Sequence, residues 1–144
     1  MKNLSSEIPH LIVLFACMSL LAASFILRPP SEENPYLRLG RVALPEICTF
    51  HNLTGFPCPG CGLSRSMVAA AHGDFQSSLA FHRLGILTLV YLFVQASYRS
   101  VIIAIPSPNI CLLRGGKILD KGLIVLGFLF FINWVITLMN RLLV

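Results

Sequence analysis

Charge is the scarcest commodity in this sequence. Only 12% of its residues are Asp, Glu, Lys or Arg, whereas soluble domains carry roughly 25%. With 56% hydrophobic residues among 144, that deficit excludes an ordinary soluble domain. What remains is an integral membrane protein of single-domain length. An aromatic-basic surface pattern, the footprint of nucleic-acid binding, is missing too. The eleven Lys and Arg residues, which give a net charge of +5, sit mostly at the edges of apolar runs, where they would anchor to anionic headgroups of the lipid bilayer. Neither an internal repeat nor a low-complexity segment is present, so no solenoid or linker reading applies.

The apolar runs set the architecture. A span at about residues 8–27 is long enough, at 1.5 Å per residue, to cross a hydrocarbon core of roughly 30 Å. Ala22-Ala23-Ser24 mimics a signal-peptidase site and Leu14-Phe15-Ala16-Cys17 loosely resembles a lipoprotein box. The first cut would leave apolar residues on both sides and the second has a bulky Phe, so the run is read as a retained anchor. Pro29, Pro30 and Pro35 stop it. Residues 36–57 read as irregular or short helical structure. A short helix is expected over 62–72, ended by Gly73, with Asp74 capping the next. That next helix is expected to run unbroken from Phe75 through His82 into a second span, 84–105, with Arg99 snorkelling to the interface. Residues 107–121 read as a short basic connector, and a third span covers 122–143. There Asn133 would glue helices together and Gly127 would allow close approach. The fold class is therefore all-α membrane protein, with about three transmembrane helices and a short cysteine-bearing loop-helix, region 45–82, before the second span. The positive-inside count is four against five and leaves the orientation open.

Five cysteines cannot all pair within one chain. Cys17 and Cys111 read as bystanders, while Cys48, Cys58 and Cys61 cluster. Cys58-Pro59-Gly60-Cys61-Gly62 has the shape of a zinc knuckle: two thiolates two residues apart chelate one ion, and the glycines let the backbone curl around the sulfurs. Cys48 joins them, and His51 and His82 are candidate fourth ligands. His72, on one helix with Cys61 and about 16 Å away, is excluded by geometry. A redox reading competes. Both cysteines precede a helix whose dipole stabilises a thiolate, and Arg65 follows Cys61 at i+4, so Cys58, Cys61 and Arg65 could serve thiol exchange with Cys48 as a resolving thiol. No thioredoxin-like βαβ pattern surrounds the pair, and a lone Cys-x-x-Cys leaves metal, disulfide staple and redox chemistry open.

The run from Cys48 through Thr54-Gly55-Phe56-Pro57-Cys58-Pro59-Gly60-Cys61-Gly62-Leu63-Ser64-Arg65, with His72-Gly73-Asp74 and an apolar span behind it, resembles a family of small bacterial inner-membrane proteins known as domain of unknown function 2752. The resemblance implies a multi-pass protein of the cell membrane and no reaction. It supports Cys48, Cys58, Cys61, Gly62 and Arg65 as the defining set. Ser64 stands where the family usually has Thr, His82 where Asn is common, and His51 at a variable position. A three-cysteine site completed by another group or by another membrane protein fits that pattern better than one requiring a histidine. The expectation is a non-enzymatic accessory or adaptor with a metal- or disulfide-stapled element, zinc being the candidate metal. The alternative is a thiol-disulfide oxidoreductase.

Overall fold

A computed structural model describes residues 4–30, 36–44, 48–55, 58–105 and 110–143, with side chains described for all of these except 4–7, 49, 51–52, 110–113 and 141–142. Six helices and one small hairpin follow in order: α1 (Leu4–Ile26), β1 (Leu37–Leu39), β2 (Val42–Leu44), α2 (Thr49–Thr54), α3 (Leu63–Ala71), α4 (Phe75–Phe81), α5 (Gly85–Ala104) and α6 (Ile110–Leu142). Three stretches are long and apolar enough to cross a membrane: Ile8–Ile26, Gly85–Ala104 and Arg114–Asn140. The protein is an all-α membrane protein with a cysteine-bearing loop-helix ahead of its second span.

The hairpin was expected to be irregular. Its strands pair antiparallel, Leu37 with Leu44 and Leu39 with Val42. Gly40, at φ 61°, takes the turn position that a side chain would resist. Arg28 extends the ladder by bridging to Arg38, so the chain leaving α1 is held as it leaves.

Helix α3 ends as its sequence predicts. Gly73 N–H donates to the Ala70 carbonyl and Asp74 N–H to the Ala69 carbonyl, both at 3.0 Å, with Gly73 at φ 83°. These two bonds form the Schellman pattern that satisfies carbonyls orphaned at a helix end. Asp74 Oδ1 then accepts from Ser77 N–H at 3.0 Å and caps α4. That bond holds the Asp74 carboxyl below its ordinary value. A depressed carboxylate contributes stability above its unfolded pKa of about 3.9 and loses it as pH falls through the folded value. Asp74→Ala is accordingly expected to lower the melting temperature at pH 7, with the gap to the wild type closing as the pH is taken well below 3.9. Parallel melts of both proteins across that range check it.

Helices α4 and α5 are not continuous. His82 is extended (φ −160°, ψ 121°) and breaks the chain between them. The predicted single helix fails here because the His82 carbonyl has other partners: it accepts from Gly85 N–H at 3.1 Å and lies 2.9 Å from the Ser66 hydroxyl. Ser66 and Ser78 are fully buried. The Ser66 hydroxyl lies 2.7 Å from the Ser78 carbonyl and 2.9 Å from its hydroxyl. One hydroxyl thus ties α3 to the end of α4 and to the break. Gly85 makes room for it, since a Cβ there would stand 1.8 Å from Ser66 Oγ.

Around this unit the spans pack antiparallel to α5. On α1, Cys17 and Leu21 are buried with Met67, Leu92 and Ala96, so Cys17 is a small core residue, as its position predicts. Helix α6 takes in most of the stretch read as a connector. Its glycines sit under aromatic rings: a Cβ at Gly116 would stand 2.5 Å from the Tyr98 hydroxyl and one at Gly122 would be 3.2 Å from the Tyr91 ring. Close approach therefore falls at Gly116 and Gly122. Gly127, the expected position, has nothing within 4 Å.

Arg99 does not snorkel. Its side chain is 5% exposed and turns into the bundle, bonding His10 of α1 and Asp120 of α6. Next to it the Tyr91 hydroxyl donates to the Leu119 carbonyl at 2.8 Å and Gln95 Nε2 lies 3.3 Å from that hydroxyl. A guanidinium in lipid is expensive unless paired, and here all three spanning helices contribute to holding it. Removing the partner leaves the charge buried, so Asp120→Ala is expected to cost roughly 1–3 kcal/mol, less than for a fully buried pair because Asp120 is half exposed. The double replacement Arg99→Met/Asp120→Leu should recover much of that loss, because it removes the charge that needed the partner. Denaturant titration of the detergent-solubilised variants measures both.

Candidate functional site

The cysteine loop is built from two overlapping turns. Cys61 N–H donates to the Cys58 carbonyl at 3.1 Å and Leu63 N–H to the Gly60 carbonyl at 3.0 Å. Pro59 presets φ for the first turn. Gly62, at φ 83°, caps α3. Of the two glycines expected to curl the backbone, only Gly62 adopts a positive φ.

This geometry gathers three sulfurs. Cys58 Sγ lies 3.2 Å from Cys61 Sγ, and Cys48 Sγ, from the residue just before α2, lies 3.4 Å from it. All three fall within 4.8 Å of one another, and all are half-buried free thiols. Three corners of a thiolate tetrahedron with metal–sulfur bonds of about 2.3 Å are about 3.8 Å apart, so the set fits one soft divalent ion. Cys58 N–H donates to Cys61 Sγ at 3.3 Å, a bond that compensates a ligating thiolate. Burial, then the hydrogen bonds with Cys58 and Cys48, push the Cys61 thiol up to about 12. Crowded sulfurs resist ionising together without a cation between them. That opposes the helix-dipole effect expected to lower this thiol, because the neighbouring sulfurs are closer than the aligned peptides.

His82 reaches the loop but by a different route from a ligand. Leu84 N–H donates to Nδ1 at 3.2 Å, so Nε2 carries the proton and donates to the Pro59 carbonyl at 3.2 Å. Both ring nitrogens are engaged, and the ring stacks on Phe130 with centroids 5.1 Å apart. Burial lowers its pKa, with the bond to Pro59 opposing, so the ring stays neutral. The reversal at Gly73-Asp74 does bring His82 back to the level of the cysteines, as chain length predicts, and there it braces the loop. The side chain of His51 lies outside the described residues. Arg65 sits over the Phe81 ring, 5.1 Å from its centroid, and borders the same cleft as Cys58 and Cys61.

Ser66, Ser78 and Gly85 were not anticipated from sequence. The available signal was weak: a serine on the inner face of a short apolar helix, which is read as a tolerated polar residue unless its partners are known.

No curated protein and no solved structure matches the chain. A match to a family of proteins covers residues 48–96, which include the three converging cysteines, α3, α4, His82 and the first part of α5. Over that segment the chain belongs to the family described as "Protein of unknown function (DUF2752)".

Proposed function

We propose that Cys48, Cys58 and Cys61 hold one soft divalent metal ion, zinc by the chemistry of the donor set, and that this site staples the loop to α3. The observation that carries the reading is the convergence of three sulfurs from two separate chain segments within 4.8 Å. A disulfide staple would pair two of them and strand the third. Residues for the fourth position are not part of that group, which fits completion by water or by a group from a partner. The protein is then a non-catalytic accessory or adaptor of a bacterial inner membrane, with the stapled loop as the element presented to another membrane protein.

Elemental analysis of the detergent-purified protein, with a free-thiol count, tests the staple. About one zinc per chain, lost on chelation together with the loop's protection from proteolysis, is the expected result. Absence of metal together with a reversible disulfide would overturn it. One observation favours that second reading, a membrane thiol-disulfide oxidoreductase: Cys61 Sγ has Cys58 at 3.2 Å and Cys48 at 3.4 Å, so a bond made with one could pass to the other.

A further inference from the structure

Beside the cysteine loop lies a cleft of about 730 Å³ between the α3–α4 unit and the C-terminal half of α6. Its chemistry differs from the rest of the bundle. Between residues 123 and 140, helix α6 is apolar except for Asn133, Trp134, Thr137 and Asn140, and all four line this cleft. Asn133, Thr137 and Asn140 repeat at i, i+4 and i+7, which places them on one helical face. Thr137 returns its hydroxyl to the Asn133 carbonyl at 2.8 Å. The amide side chains of Asn133 and Asn140 make no hydrogen bond among the described residues. Across the cleft stand Arg65 and Arg83, and no Asp or Glu lines it. Arg83 is exposed at the turn just before the second span.

We infer that this cleft binds the headgroup of an anionic phospholipid, with its phosphate between Arg65 and Arg83 and its ester region along the Asn133–Thr137–Asn140 stripe. Three features select that ligand. Two arginines with no carboxylate call for an anion, and planar guanidinium groups match phosphate oxygens. The arginines stand at the end of the spans, where headgroups are found, and the stripe continues from Asn140 to Asn133, about 10 Å inward. A bilayer is graded in the same order, charged at the surface and then ester-polar before the hydrocarbon. Finally, Asn133 is costly in lipid without a partner, and a lipid ester carbonyl can accept from its amide. This ligand is independent of the metal reading, since none of these groups is a sulfur.

Trp134 is the only tryptophan in the chain and lies in the cleft, so it reports occupancy. The full-length protein is reconstituted in phosphatidylcholine vesicles containing equal mole fractions of either brominated phosphatidylglycerol or brominated phosphatidylcholine, and Trp134 quenching is compared. Stronger quenching by phosphatidylglycerol is expected. Arg83→Gln, at an exposed position with no hydrogen bond among the described residues, should reduce that preference about fivefold, the effect of one arginine at an anionic surface, while Arg83→Lys keeps most of it. Equal quenching by the two lipids overturns the inference. So does a preference that survives Arg83→Gln together with Arg65→Gln in a protein whose helical circular dichroism is unchanged. Inorganic phosphate is added at matched ionic strength as the last arm. If it displaces the brominated phosphatidylglycerol, the cleft is a site for soluble phosphate compounds and the lipid assignment falls.

Discussion

Cys61→Ser is expected to empty the metal site, taking retained zinc from about one equivalent per chain to near zero. Cys61 is the hub of the cluster: both other sulfurs and the Cys58 N–H converge on its Sγ. Changing a group that only orients a ligand typically costs 10–100-fold in metal affinity, so loss of the shared ligand should cost more than about 100-fold. Cys48→Ser should do nearly as much damage by a different path. It releases the segment before α2 from the loop, so limited proteolysis should cut between residues 48 and 58 before metal is fully lost. Cys17→Ser, far from the site in the α1–α5 core, should retain metal at the wild-type level, which separates a ligand effect from general thiol loss. Because the Cys61 thiol is pushed up to about 12 without an ion, metal must displace protons near neutral pH. Apparent affinity should therefore rise with pH, with proton release measurable in weak buffer.

Gly62→Ala should be the most damaging small substitution in the loop. Gly62 is at φ 83°, where a side chain costs roughly 1–2 kcal/mol. An added Cβ would also stand 2.6 Å from the Phe81 carbonyl oxygen, a backbone atom that cannot rotate away. Together these predict a loss of roughly 3 kcal/mol and a separation of α3 from α4 that also unseats the sulfurs. Gly60→Ala, two residues earlier in the same motif, is the internal control. Gly60 has no positive φ and nothing within 4 Å of its would-be Cβ, so the change should stay within about 0.5 kcal/mol. Chemical denaturation of the two variants beside the wild type separates them. Equal effects would mean that the loop is not packed on α4 as described.

Much of the helical end chemistry was legible because it is local. Gly73 after a run of alanines and Asp74 ahead of Phe75 specify a stop and a start within a few residues, and both occur where expected. The break at His82 was not legible, because nothing between Phe81 and Leu84 is a helix breaker. It is imposed by Ser66, sixteen residues away, and by Pro59, twenty-three residues away. Arg99 was misplaced for a similar reason. Its position near a helix end permits snorkelling, and only the approach of His10 and Asp120 from two other helices makes burial cheaper.

The sequence alone determined the medium and the elements. Charge depletion and three long apolar stretches require lipid, because no aqueous fold could bury that much hydrocarbon, and the spacing of Cys58 and Cys61 confines their sulfurs to one turn. Tertiary structure decided which distant groups join them. Cys48 enters the cluster and His82 braces the loop through its imidazole nitrogens. Asn133, Thr137 and Asn140 face two arginines from another part of the chain. Such juxtapositions depend on the packing angles of whole helices. Those angles are set by single contacts, such as Gly85 under Ser66 and Gly116 under Tyr98, which local residue patterns do not encode.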